Sequence, residues 1–188
     1  MPDRLYFTND DEANALIAQQ PLALLIGFVL DQQVSVQTAF VGPLRLRQRV
    51  GTLDAAEIAG MAPDRLEQAF RKRPAIHRFP GTMARRVQEL CAAVASEYGG
   101  DAALVWKDAS TGADLERRLL DLPGIGEMKA RSLIAILGMR YGIKPPGWED
   151  VAPKHPTLGD VDSMETLERY QDAKRAYKAE RRAAAARS

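Results

Sequence analysis

The chain carries one cysteine and two histidines among its 188 residues, and its aromatics amount to only 6%. Cys91 alone can neither close an internal disulfide nor supply a four-cysteine zinc site or a cysteine-ligated iron–sulfur cluster. With only His77 and His155 beside it, a three-histidine metal site is excluded as well, so no metal site is expected. Runs of alternating β-branched or aromatic residues are nearly absent, which argues against a sheet. No stretch reaches the roughly 18 uninterrupted apolar residues of a membrane span, and the opening MPDRLYFTNDDEANALIAQQ has no basic region followed by an apolar core. The expectation is a cytoplasmic chain with no membrane partner. Charge of one sign is missing too: 26 Lys and Arg against 25 Asp and Glu leave a net charge of +1. A protein that coats polyanions indiscriminately is thereby excluded, and any anion-binding surface must be local.

What is present is helical periodicity almost throughout, so the expected fold class is all-α. Asn9 with Glu12 three residues on has the form of a capping box ahead of Ala13, Leu16 and Ile17. Pro21 opens PLALLIGFVL, apolar on every side and so the expected buried centre. It ends in Asp31-Gln32-Gln33. Ser35 caps a third helix that Gly51 closes, Thr52 or Asp54 opens a short fourth, and Pro63 starts a fifth that ends before Pro74. Thr82 opens a long amphipathic helix that Gly99 and Gly100 terminate. Short helices are expected around Trp106 and over Leu115–Leu120. From 142 to 160 the composition turns to Pro, Gly and charge, which predicts a long irregular connection. An Ala, Arg and Lys-rich helix follows from about Ser163.

The sharpest local signal is Leu122-Pro123-Gly124-Ile125-Gly126 between two helical patterns. Two glycines around one apolar residue allow a hairpin whose backbone N–H groups converge, with Leu122 and Ile125 as core anchors. Those donors open the next helix, where the dipole and unpaired N–H groups favour an anion such as a phosphate. Such a turn clamps a backbone and reads no base. The same pattern also serves as a plain helix–helix turn.

LPGIGEMKARSLIAIL resembles the helix-hairpin-helix element of the DNA glycosylase superfamily that includes endonuclease III and the AlkA-like enzymes. LLIGFVLDQQVSVQTAF and RFPGTMARRVQELCAAVASEYGGD resemble two further family stretches in the same order, over roughly residues 22 to 141. The branch it resembles most is compact and lacks the iron–sulfur cluster. The resemblance implies a helical barrel lobe over 22–120 and a second lobe from 1–21 and 121–188, the latter with the helix-hairpin-helix (about 115–141) and a basic C-terminal helix. Damaged double-stranded DNA would lie between the lobes of a monomer, in a nucleoid-associated setting.

Residue by residue, the resemblance puts Gly124, Ile125 and Gly126 on the phosphate-binding hairpin, with Lys129 nearby and with a monovalent cation bound there in the family. Gln32 and Gln33 fall where a polar side chain fills the space of an extruded nucleotide, or they are a solvated helix end. Trp148 and Tyr141 are the expected base-pocket aromatics. A nucleophilic lysine two residues after the second hairpin glycine is replaced by Met128, which disfavours a Schiff-base step. The catalytic aspartate, expected about twenty residues beyond that glycine, has two candidates. Asp150 is closer in spacing, and Asp162, in Val161-Asp162-Ser163 ahead of a helix, has the better context. Either is also an ordinary cap or loop acid. If one is in place, the expectation is a monofunctional DNA N-glycosylase that needs no cofactor. If neither is, a non-catalytic DNA-binding module on the same fold remains.

Charge placement agrees with a one-sided DNA face. Arg71, Lys72, Arg73, Arg78, Arg85 and Arg86 occur without an intervening acid, and Lys174, Arg175, Lys178, Arg181 and Arg182 follow on the last helix. Arg78 and Arg85 are the expected phosphate contacts. The first 31 residues, by contrast, hold five acids and one Arg.

Overall fold

No residue from Leu22 to Leu30 reaches solvent appreciably in the computed structural model, which describes residues 1–185 and, for side chains, 1–176 and 179. Each large apolar side chain so buried contributes about 1.5–3 kcal/mol, and a helix without a polar face needs cover all round. That cover organises the N-terminal part of the molecule. Helix α2 (Pro21–Leu30) packs on α1 (Asp11–Gln19), α3 (Val36–Val50) and α6 (Pro80–Glu97), with α4 (Ala55–Ala59) and α5 (Pro63–Arg71) laid on α6. Beyond come α7 (Leu104–Lys107), α8 (Gly112–Leu120), α9 (Glu127–Arg140), α10 (Trp148–Val151), a 3-10 turn (Leu158–Asp160) and α11 (Met164–Ala185). No strand occurs among the described residues, so the fold is all-α. No single helix there is long and apolar enough to cross a membrane.

Helix ends follow local chemistry, with two departures from the sequence reading. The first cap is Asp10, whose carboxylate accepts from Ala13 N at 3.0 Å, and not Asn9. Helix α6 begins at Pro80 and not at Thr82, because proline's fixed φ and missing N–H suit a first turn. Ser35 and Asp54 cap α3 and α4, and Gly51 closes α3 at φ 88°.

Helix α1 lies on α2 and α3, because α2 has no face to leave open. Helix α8 lies on α7, α9 and α10. One continuous core joins both parts, from Leu5 to Leu167.

The 142–160 connection is a docked strap. Gly112 N donates to Pro146 O at 2.8 Å, and Trp148 Nε1 donates to Ile134 O at 3.0 Å. Thr157 and Asp160 form a reciprocal capping box that lays Gly159 on the backbone of Ala135. Helix α11 starts from Ser163, buries Leu167, and ties to α3 where Gln171 Nε2 donates to Gln37 Oε1 at 2.8 Å. The Lys178, Arg181 and Arg182 side chains lie outside the described residues.

Two of the glycine contacts that leave no room for a methyl group are made to aromatic rings. A Cβ on Gly27 would lie 2.4 Å from the Phe40 ring, and one on Gly138 would lie 2.2 Å from the Trp148 indole. Gly27→Ala therefore overpacks the α2–α3 contact and is expected to cost about 1–3 kcal/mol, read from equilibrium urea unfolding. Gly138→Ala is expected to lift Trp148 and shift its fluorescence without melting the α2 core.

Candidate functional site

The turn between α8 and α9 is built by two buried side chains and two glycines. Leu122 and Ile125 anchor it in the core, and Ile125 N donates to Leu122 O at 3.1 Å. Gly124 has φ 83°, and the Val29 side chain presses on it so that a Cβ would lie 3.2 Å from Val29 Cγ2. The positive φ favours glycine here, and Val29 leaves a Cβ little room. Gly126 is the N-cap of α9, and its carbonyl accepts from Lys129 N and Ala130 N at 2.9 Å. No side chain caps this end, whereas Asp10, Ser35, Asp54 and Thr111 cap α1, α3, α4 and α8. Gly126, Glu127 and Met128 are exposed, so the first-turn donors of α9 face outward, where an anion can take them.

Lys129 does not join that outward face. Its Nζ donates to Gly124 O at 3.1 Å and to Val29 O at 3.4 Å. The ammonium thus bridges the hairpin to the last turn of α2. Burial is the main cause that brings its pKa down to about 8, opposed by the attraction of Asp31 and aided by Arg86.

The end of α2 is as tightly held. Gln32 Nε2 donates to Val29 O at 3.0 Å, and Gln32 Oε1 accepts from Arg86 Nη1. His77 Nε2 donates to Gln32 O at 2.9 Å, while Nδ1 accepts from Phe79 N at 3.1 Å. This pairing requires the neutral Nε2–H tautomer. Gln32 is therefore committed to the scaffold. Gln33, next along, is exposed at φ 56°, the one non-glycine residue with positive φ among those described. A left-handed Gln is an uncommon conformation of the kind concentrated at ligand sites.

Around this junction stand the cations of the mid-chain cluster. Arg78 is exposed and lies 4.8 Å over the half-exposed Phe79 ring, and Arg85 is exposed on α6. Arg71 is paired with Glu67 at 2.6 Å. On α11, Lys174 sits 5.6 Å over the Tyr170 ring and Arg175 pairs with Asp172.

The other sequence candidates fall elsewhere. Tyr141 is a clamp: its hydroxyl donates to Ala18 O at 2.8 Å, tying the end of α9 to α1, and burial raises its pKa. The Trp148 indole lies against Gly138 with its N–H on Ile134, so neither aromatic lies at the hairpin. Asp150 is exposed in a depression with Glu116 and Arg131, and Arg131 is two residues, about 200°, around α9 from Lys129. That puts Asp150 on the face of α9 turned away from α2. A cavity of about 370 Å³ on this side is lined by Ala135, Met139, Trp148 and the strap. Asp162 precedes α11 and is exposed. Its Oδ1 accepts from Thr166 Oγ1 at 3.0 Å, and Thr166 Oγ1 in turn accepts from Asp162 N.

Asp31, Arg86, His77 and Tyr170 were not singled out from the sequence as site residues. Asp31 acts electrostatically on both Lys129 and Tyr170, which brings α2, α9 and α11 to one junction. The signals were the adjacency of Asp31 to the two glutamines and the place of Arg86 in the basic cluster. For His77 there was none beyond a lone His in a basic loop. Among the described residues no group of three or more His, Cys, Asp and Glu is placed to hold a metal ion. Cys91 is buried, chiefly by which its thiol is pushed up to about 12, and it is no nucleophile at neutral pH.

A family model described as HhH-GPD superfamily base excision DNA repair protein matches residues 26–187. No curated protein and no solved structure matches the chain.

His77 makes the α2 turn sensitive to acid. Desolvation, the largest cause, lowers its pKa below the ordinary 6.5, so the unfolded chain takes up the proton first. Its contribution is intact above pH 6.5 and declines as pH falls from there toward the native value. Urea midpoints at neutral pH and at about pH 5 should therefore differ, and His77→Gln should shrink the difference. An unchanged difference would assign the acid sensitivity to another group.

Proposed function

The chain belongs to the HhH-GPD superfamily of base excision DNA repair proteins, and on that premise we propose that it binds damaged duplex DNA, extrudes a lesion base and hydrolyses its N-glycosidic bond without cutting the strand. Membership carries DNA binding and a glycosylase-like role in base excision repair. The finer reading rests on one observation: the uncapped hairpin helix is bridged by Lys129 to the turn that projects Gln33. A phosphate grip and a protruding polar side chain held in one rigid frame are what extruding a nucleotide requires.

In this reading the donors of Gly126, Glu127 and Met128 take a backbone phosphate, and Gln33 fills the gap left in the stack. Gln32 acts as scaffold. Arg78 and Arg85 contact flanking phosphates. Asp162 is the better supported acid, since Asp150 lies on the far face of α9 and Thr166 fixes the Asp162 carboxylate. In hydrolysis the C1′–N bond breaks with its electron pair leaving on the base. Water adds its oxygen to C1′, and its proton balances the departing base. A carboxylate stabilises the cationic sugar or takes the water proton first. No amine stands at Met128, which is 81% exposed, and the Lys129 ammonium is turned to carbonyls. Both speak against a lyase step.

The resemblance brings a monovalent cation to the hairpin. Gly124 O already accepts from Lys129, so such an ion would be held by other carbonyls of the turn. The single cysteine is in keeping with the branch that lacks an iron–sulfur cluster.

Duplexes with a central uracil, alkylated or oxidised base test the reading. One lesion should be released as free base with the strand intact until alkali is added. Asp162→Asn should lower the single-turnover rate by at least about 100-fold while leaving the affinity. Tight, salt-sensitive binding with no base released would make this a non-catalytic damage-recognition protein. A borohydride-trapped protein–DNA adduct would contradict the monofunctional assignment.

A further inference from the structure

We infer that Lys129 is a positioning residue: its ammonium is a strut that sets the hairpin against the turn carrying Gln33, and it takes no DNA phosphate itself. The inference rests on the reading above and departs from the expectation that Lys129 contacts DNA directly. A lysine in the first turn of an anion-binding helix is ordinarily a phosphate ligand. This one is half-buried, with one backbone acceptor five residues away in sequence and the other one hundred.

The two acceptors belong to the two devices the function needs together. Gly124 O is part of the phosphate-gripping turn, at the position where the left-handed backbone favours glycine and the Val29 side chain leaves a Cβ little room. Val29 O is an orphan carbonyl of the last turn of α2, shared with Gln32 Nε2. Negative charge accumulates at that end, from the helix dipole and from Asp31, and a cation there offsets both. The groups facing the ammonium are thus the two carbonyls, Asp31 from α2 and, opposing it, Arg86 from α6. Removing the strut leaves hairpin and Gln turn each folded, but free to shift relative to one another.

The strut is held at a cost to stability. Its lowered pKa means that burying the ammonium outweighs the attraction it receives. The native value of about 8 lies below the ordinary 10.5, so this penalty is present in full below pH 8 and is relieved as pH rises from 8 to 10.5. A residue kept only to hold the fold would have the opposite sign.

Lys129→Met, which keeps the buried stem, separates the possibilities. The melting temperature at neutral pH should be unchanged or higher than in the wild type. Amide hydrogen exchange in the free protein should speed up over 123–126 and 32–34 and nowhere else. Affinity for a lesion duplex should fall about tenfold, while the slope of log K against log salt stays constant, whereas Arg85→Ala should reduce that slope by about 1. Gln33→Ala should cost about tenfold in the wild type and under about twofold in the Lys129→Met background, a coupling between residues that do not touch. A salt slope reduced by about 1 in Lys129→Met would make the residue a phosphate ligand and overturn the inference. A lowered melting temperature would make it merely structural. Unchanged exchange at both turns would overturn it without any DNA, so that outcome is distinct from the wild type failing to bind DNA, which would sink the functional reading instead.

Discussion

A helix with no polar face imposes more on this molecule than any other single element. Leu22 to Leu30 can be stable in water only if neighbours close around it, and α1, α3 and α6 do so. Phe40 lies directly on the backbone at Gly27, a distance no side chain there would permit. The same burial dictates what happens where the helix stops. Its last carbonyls are orphaned in a place of restricted solvent, and they must find donors. Asp31 N takes those of Gly27 and Phe28, and Gln32 N takes that of Leu30. Val29 O is served by Gln32 Nε2 and by Lys129 from one hundred residues away. The junction with the hairpin is therefore a consequence of how α2 ends.

Polar side chains at that junction divide into those that hold and those that project. Gln32, His77 and Arg86 satisfy one another and the backbone, which leaves them little freedom to reach a ligand. Gln33 is pushed outward by a strained backbone. Arg78, Phe79 and Arg85 remain on the surface beside it. Such a division fits the extrusion of a nucleotide proposed above, in which the gripping frame must not yield when the projecting group meets resistance. The near-zero net charge conceals this arrangement, since acids near the N-terminus offset cations gathered in the middle of the chain and on the last helix.

Much of this is legible in the sequence. The buried helix, the hairpin with its two anchors, and the cap at Ser35 follow from patterns of a few residues, where local chemistry decides, whereas Thr52 and Asp54 were equally competent to open α4 and the fold chose Asp54. The cap at Asp10 was misread by one position, because Asn9 and Asp10 are both competent and only the folded backbone chooses. The packing partners of Trp148 and Tyr141 were not legible at all. An aromatic in a Pro and Gly-rich loop looks free to stack on a base, yet Gly138 offers a flat seat for the indole and Ala18 O an acceptor for the phenol. Neither partner is near in sequence.

The amino-acid sequence by itself determined the all-α class, the position of the hairpin and the core helix, since each depends on periodicity or turn chemistry. Tertiary structure alone decided which of two adjacent glutamines is exposed, on which face of α9 Asp150 lies, and that Lys129 points inward to two carbonyls. These are questions of direction. A side chain's direction is set by the acceptors and surfaces brought to it by distant segments, and one step along a helix turns it by about 100°.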